Sequence, residues 1–155
     1  MGLTCRTRSG FLQPRKPRPY EAVAEEKGVT LHHFGEGAIL GDRLMFRRAL
    51  SNLLSNALRH SKDHSDVTID ISETAQAIVV TVENTGEDID PQSIPRLFDR
   101  FYRADPSRSH PQSDGAGLGL SITRAIAQAH GGRVTVESGS GRTKFSLEFP
   151  SRLIL

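Results

Sequence analysis

The stretch Asn52-Leu-Leu-Ser-Asn-Ala-Leu-Arg-His60 and the glycine turn Asp114-Gly-Ala-Gly-Leu-Gly-Leu120, some sixty residues later, decide how this chain is understood. At 100° per residue on a helix, Asn52, Asn56 and Arg59 fall within a sector of roughly 60°. That sector flanks an apolar stripe, so it belongs at the rim of a pocket. An Asn carbonyl oxygen is a hard, neutral ligand suited to Mg²⁺, which takes one or two protein oxygens alongside phosphates and water. Arg59, one turn further on, can reach a terminal phosphate. In the second stretch, Gly115, Gly117 and Gly119 let the backbone approach a polyphosphate, and the helix that follows offers free N–H groups at its positive end. Either motif alone is weak, because helix faces carry incidental Asn and glycine turns before helices are common. Together they describe a magnesium–nucleotide site.

Other phosphate-binding patterns do not fit. The glycine spacing is not G-x-G-x-x-G, and a polar loop stands where a Rossmann strand would be. The P-loop pattern is absent.

The chain has 155 residues, 36% of them apolar and 25% charged, as expected for one soluble globular domain with a single core. No apolar run approaches the roughly 20 residues of a membrane span, so direct membrane insertion of this chain is not expected. The segment opening Met-Gly-Leu-Thr-Cys lacks the apolar stretch of a secretory signal. A lone cysteine, Cys5, excludes an internal disulfide and fits a reducing compartment. The net charge of +2 is unevenly placed: residues 1–19 hold five of the 20 bases and no acid, leaving 15 bases against 18 acids elsewhere. A basic arm on a mildly acidic domain is not a nucleic-acid footprint.

Three segments follow: a proline-bearing basic arm over 1–19, a domain over 20–150 and a tail over 151–155. Tyr20–Lys27 is expected to form a short helix stopped by Gly28, and Val29–Phe34 a strand. Asp42 is expected to cap a long helix with Phe46, Leu50, Leu53, Leu54 and Ala57 inward. Val67, Ile69 and Ile71 alternate before Ile78–Val82, predicting a hairpin with one buried face. A loop from Asn84 to Pro91 leads to a short helix near Ile94–Phe101, and residues 105–114 are polar and proline-bearing. A helix over 118–130 is expected to bury Ile122, Ala125, Ile126 and Ala129 and to stop at Gly131-Gly132. A hairpin of 133–138 with 143–149 ends the domain. Helices and hairpins without βαβ spacing predict an α+β fold, a two-layer α/β sandwich whose mixed, mostly antiparallel sheet carries helices on one face.

Two further elements bear on the site. In Val82-Glu-Asn-Thr-Gly-Glu-Asp-Ile89 a strand ends and turns at Gly86, so Asn84 can offer a purine amino group an acceptor. In Leu97-Phe-Asp-Arg-Phe-Tyr-Arg103, one of Phe98 and Phe101 is expected to be a core aromatic. Thr143 either lines the pocket or starts a strand.

In this order the four segments closely resemble the catalytic, ATP-binding domain of bacterial sensor histidine kinases. That domain shares the Bergerat ATP-binding fold with type II topoisomerases, Hsp90 and mismatch-repair ATPases. The stretch Phe98-Asp-Arg-Phe-Tyr-Arg-Ala-Asp105 looks most like kinases that sense heavy metals or envelope conditions. The resemblance implies that Asn56 ligates Mg²⁺ with Asn52 as its companion, and that Arg59 contacts phosphate. It places the His60 ring near the nucleotide and makes 102–114 a lid over ATP. It also implies nucleotide contacts at Asn84, Gly86, Ile89, Phe98 and Tyr102, at Gly115, Ala116, Gly117, Leu118, Gly119 and Leu120, and at Thr143. Two departures stand out. Asn84 replaces an Asp that accepts the adenine amino hydrogen, removing charge assistance from that bond. Asp88 replaces a glycine, at an expected cost in backbone freedom.

The resemblance implies ATP and Mg²⁺ as cofactors and transfer of the γ-phosphoryl group to a histidine. None of the six histidines has a phosphoacceptor context, so the acceptor is expected on a separate dimerisation domain, with a response regulator served indirectly. The implied setting is the cytoplasmic part of an inner-membrane sensor kinase. Two alternatives stay open. An ATPase or serine kinase of this fold places a Glu, the general base, where this chain has Asn52, which cannot take a proton at neutral pH. A non-catalytic nucleotide-binding fragment would bind ATP without transfer.

Overall fold

The computed structural model describes the backbone of residues 3–4, together with residues 19–103 and 118–151. Asp114, Gly115, Ala116, Gly117 and all of the expected lid except Tyr102 and Arg103 lie outside the described residues.

Helix α1 spans Pro19–Lys27 and ends at Gly28, whose φ of 64° is the left-handed conformation that glycine adopts freely. Strand β2 (Thr30–Gly35) follows, then the two-residue β3 (Ala38–Ile39), which pairs antiparallel with β1 (Leu3–Thr4). That pairing was not anticipated, because two residues are too few for a periodic signal. The long helix α2 runs Arg43–His60, and the Asp42 carboxylate caps it by accepting from the N–H groups of Leu44 and Met45. Strands β4 (Asp66–Glu73) and β5 (Ala77–Thr85) form the first hairpin; β6 (Arg133–Gly139) and β7 (Arg142–Pro150) form the second. Between the hairpins lie a 3₁₀ turn at Ile94–Arg96 and helix α3 (Gly119–Ala129).

The main sheet has the order β2-β4-β5-β7-β6 and is antiparallel except where β2 runs parallel to β4. That pair encloses α2, so one crossover exists despite the hairpin pattern; the glycine-rich link through β3 hides it. Both α2 and α3 pack on one face, with α1 against α2. The expected sandwich is the observed architecture.

The core follows from alternation. Val80 and Val82 on β5 and Phe145, Leu147 and Phe149 on β7 form one buried cluster with Ala49, Leu53, Leu54, Ala57 and Leu58 of α2, and Ile78 is buried further along β5. Each large side chain removed from water contributes about 1.5–3 kcal/mol. Phe46 and Leu50, expected inward, are half-buried at the margin, while Ala49 and Leu58 take central places.

Three local expectations are corrected. Ala125 and Ala129 are exposed, and α3 buries Thr123 and Ala127 in their place; Ile126 is buried and Ile122 half-buried as expected. The 94–101 segment is a single 3₁₀ turn continued by bends, ending at Phe101 with φ 63°. Phe98 packs edge-on against Phe145 at 6.2 Å and Phe101 is 70% exposed, so one aromatic of the two does join the core. Finally, β5 continues through Asn84 and Thr85 rather than ending before them.

Candidate nucleotide-binding site

The inward row of β5 reads Ile78, Val80, Val82, Asn84, and that of β7 reads Thr143, Phe145, Leu147, Phe149. At one end of the sheet both central strands therefore switch from apolar to polar side chains on the face that carries the helices. Asn84 is 3% exposed and stands directly across from Thr143, which in turn stands across from Ser138 on β6. The hydroxyls of Ser138 and Thr143 are 2.8 Å apart, and the Ile89 N–H donates to the Ser138 Oγ at 2.9 Å. The Asn84 amide makes no hydrogen bond within the described structure, while its neighbours are tied to one another.

Above this row lies the C-terminal half of α2. Its last turn docks on the β5 turn: the Lys62 N–H donates to the Thr85 carbonyl at 2.9 Å, Ser61 bridges Gly86, and the Gly86 N–H donates to Gly141 at 3.0 Å. A Cβ on Gly86 would lie 2.1 Å from the His60 carbonyl oxygen. Only glycine fits. Lys27, at the end of α1, closes the turn by donating from Nζ to the carbonyls of Leu58 (2.9 Å), Arg59 (3.1 Å) and Ser61 (2.5 Å). A cation is favoured there, where the helix ends with its negative pole.

At the other end of the sector, Asn52 Nδ2 donates to the Gly119 carbonyl at 3.1 Å and approaches the Thr123 hydroxyl at 3.5 Å. Thr123, fully buried, donates to the same carbonyl at 2.9 Å. Leu118 precedes the first turn of α3 without a side-chain cap, and its carbonyl accepts from Ser121 Oγ. Thus α2 is clamped to the first turn of α3 at Asn52 and to the β5 turn at His60–Ser61. Eight residues separate those points, roughly 12 Å of helix at 1.5 Å per residue. Asn56 lies midway, half-buried and with no hydrogen bond among the described residues.

The structure thus brings Asn52, Leu118 and Gly119 together at one end, and Asn84, Gly86, Thr143 and Ile89 at the other. Asn56 lies between them, and Arg59 and His60 are exposed on the last turn. Phe98 and Leu120 pack against the core from the flanks. Tyr102 is committed elsewhere: its hydroxyl donates to Ser93 at 2.9 Å and the Arg96 guanidinium lies 4.6 Å from its ring centre. Asp88 does not strain the turn as expected. It is not among the residues with positive φ, and its carboxylate accepts from the Gly141 N–H at 2.8 Å.

Four residues escaped the motif analysis. Ser138 was detectable, since it continues the inward alternation of Val134 and Val136 as a polar residue. Lys27, Thr123 and His130 were not. His130 Nδ1 donates to the Ile126 carbonyl at 2.8 Å and its Nε2 accepts from the Asp42 N–H at 3.2 Å, joining the end of α3 to the start of α2. The opposite face of the sheet is charged, with Arg142–Glu83, Lys144–Glu137 and Arg133–Glu148 pairs, and takes no part in the site.

The donor set can be tested against magnesium. Asn56 offers one unengaged neutral oxygen, and no group of three or more His, Cys, Asp or Glu able to hold an ion exists among the described residues. Such a site fits an ion that arrives with phosphate oxygens of its own and suits no ion held by protein alone.

The family described as histidine kinase-, DNA gyrase B- and HSP90-like ATPase matches residues 41–153. The sensor histidine kinase CusS of Escherichia coli O157:H7 is 46% identical over 134 residues, which cover 86% of this chain and 28% of that protein. The probable sensor protein PcoS of Escherichia coli is 45% identical over 136 residues, covering 88% of the chain and 28% of PcoS. The chain therefore spans about 28% of the length of these curated relatives. Among solved structures, the mycobacterial sensor histidine kinase MprB superposes with a TM-score of 0.73 at 26% identity, covering 85% of this chain and 90% of that one. The chain belongs to the histidine kinase-, DNA gyrase B- and HSP90-like ATPase family, as an ATP-binding catalytic domain of the sensor histidine kinase kind.

Proposed function

We propose that this domain binds Mg-ATP along α2, base towards Asn84 and phosphates towards Gly119, and passes the γ-phosphoryl group to a histidine on a separate dimerisation domain. The observation that carries this reading is the half-buried, unengaged Asn56 between two clamps of α2. Asn56 would hold Mg²⁺ through its amide oxygen, with Asn52 beside it. The bound ion would supply neutralisation of charge on the phosphates. Arg59 contributes a cation on the same sector, and His60 a ring on the last turn. The N–H groups opening α3 favour anionic oxygens. Phosphoryl transfer asks little covalent chemistry of a protein, so these residues act by position and charge.

Hydrolysis is disfavoured by what Asn52 does. Its Nδ2 is committed to the Gly119 carbonyl, and an amide is no general base. A neutral imidazole acceptor is already nucleophilic and needs less help.

In the setting the resemblance implies, the domain is cytoplasmic, belongs to a longer sensor kinase of the heavy-metal-sensing type, and feeds a response regulator through the phosphohistidine. The test is incubation with γ-labelled ATP and Mg²⁺ in the presence of a phosphoacceptor domain from a related kinase. Acid-labile label on that domain is the expected result. Nucleotide binding without transfer would leave a binding module, and release of free phosphate alone would indicate an ATPase.

A further inference from the structure

The base end of the site has an unusual set of hydrogen-bonding groups. Its central member is the Asn84 amide, 3% exposed yet without a hydrogen bond in the described structure. Among the described residues no fully buried side-chain polar atom lacks a hydrogen bond, so the polar tip of Asn84 reaches solvent and is open to a ligand. An amide carries an acceptor and a donor side by side and exchanges them by a half-turn about its last bond.

That exchange matters for purines. With the amide one way, Oδ1 accepts from the adenine 6-amino group and Nδ2 donates to adenine N1. Turned over, Nδ2 donates to the guanine 6-oxo group and Oδ1 accepts from guanine N1–H. Both pairings are bidentate and neutral. Ser138, Thr143 and Asp88 do not choose between them. Ser138 and Thr143 are hydroxyls 2.8 Å apart in which either can be the donor. Asp88, the acid four residues on, faces the Gly141 N–H instead. Gly86, having no Cβ, leaves open the space beside Nδ2, where an added Cβ would crowd the amide at 3.3 Å.

We infer that the base pocket admits guanine as well as adenine nucleotides, with Asn84 the residue that reads both. This rests on the nucleotide-site reading above and adds to it the class of base. Polar sites discriminate strongly only when the wrong ligand leaves a buried group unpaired. Here either purine pairs the Asn84 amide; only the guanine 2-amino group, which adenine lacks, has no counterpart in this pairing.

The experiment is competition against a fluorescent ATP analogue on the full 155-residue chain, with Mg-ATP, Mg-GTP and Mg-CTP as competitors. Mg-GTP should displace the analogue with an affinity within about tenfold of Mg-ATP; Mg-CTP, which offers the amide the same edge as adenine but on a single ring with less apolar area to bury, should be weaker than both. In Asn84→Asp, which offers acceptors only, the ATP:GTP preference should rise by about tenfold or more. Failure of Mg-GTP to compete at hundredfold excess, while Mg-ATP binds, overturns the inference and leaves the nucleotide site standing. Equal competition by Mg-CTP, or an unmoved ratio in Asn84→Asp, overturns it too. No nucleotide binding at all removes the site and the inference with it. Should Asn84→Asp fail to fold, the parent chain's three competitors already decide.

Discussion

Replacing Lys27 by Met removes one ammonium and keeps the length of the side chain, so it isolates the clamp on the last turn of α2. Lys27 Nζ serves the carbonyls of Leu58, Arg59 and Ser61 at 2.9, 3.1 and 2.5 Å. Hydrogen bonds to a charged partner are worth about 1.5–3 kcal/mol when buried, and a cation at a helix C-terminus about 0.3–1 kcal/mol. Arg59 is exposed, so water replaces the donor at its carbonyl; Ser61 is 6% exposed, so water does so poorly there. A net loss of about 2 kcal/mol results, well below the gross sum of three bonds. For a domain of this size about 2 kcal/mol corresponds to a fall in Tm of about 4–8 °C. Because the freed turn carries Arg59 and His60 and docks on Gly86, ATP affinity should fall with it. Thermal unfolding and ATP titration at a temperature where the variant stays folded measure the two effects. Lys62→Met, at an exposed residue whose side chain makes no hydrogen bond or ion pair among the described residues, serves as the control. A Tm within about 1 °C of the parent, with unchanged affinity, would refute the clamp.

Three further outcomes are expected. Asn56→Ala should abolish the magnesium dependence of ATP binding while leaving the fold intact, and calorimetry with and without Mg²⁺ that gives equal affinities would unseat Asn56 as ligand. Gly86→Ala sets a Cβ 2.1 Å from the His60 carbonyl and should cost about 2–4 kcal/mol, visible as a lowered denaturant midpoint; an unshifted midpoint contradicts the close approach. Thr123→Val removes the hydroxyl that holds the Gly119 carbonyl and should cost about 1–2 kcal/mol in the same assay, with parental stability as the contrary result.

The secondary structure that alternation and 3.6-residue periodicity govern was legible without coordinates. Helix α2 is capped by Asp42 and the two hairpins run where the patterns place them, because those signals are local. Asn84 was also visible as a polar residue closing an apolar strand. Signals that depend on small residues were less secure: the inward face of α3 could not be chosen between Ala125 and Ala127, since alanine carries almost no directional preference.

What the sequence by itself determined is the inventory of the site: two amides and a cation on one helix, glycines before another, and an amide at a strand end. Only the tertiary structure decided how these are held. Asn52 became a tie to Gly119, and Lys27 a cap on carbonyls 31 to 34 residues away. Ser138 and Thr143 closed the row beside Asn84, leaving its amide without a hydrogen bond among the described residues. The physical reason is range. Periodicity records which face a residue takes on its own element, whereas a hydrogen bond between elements depends on register and docking that no local pattern encodes.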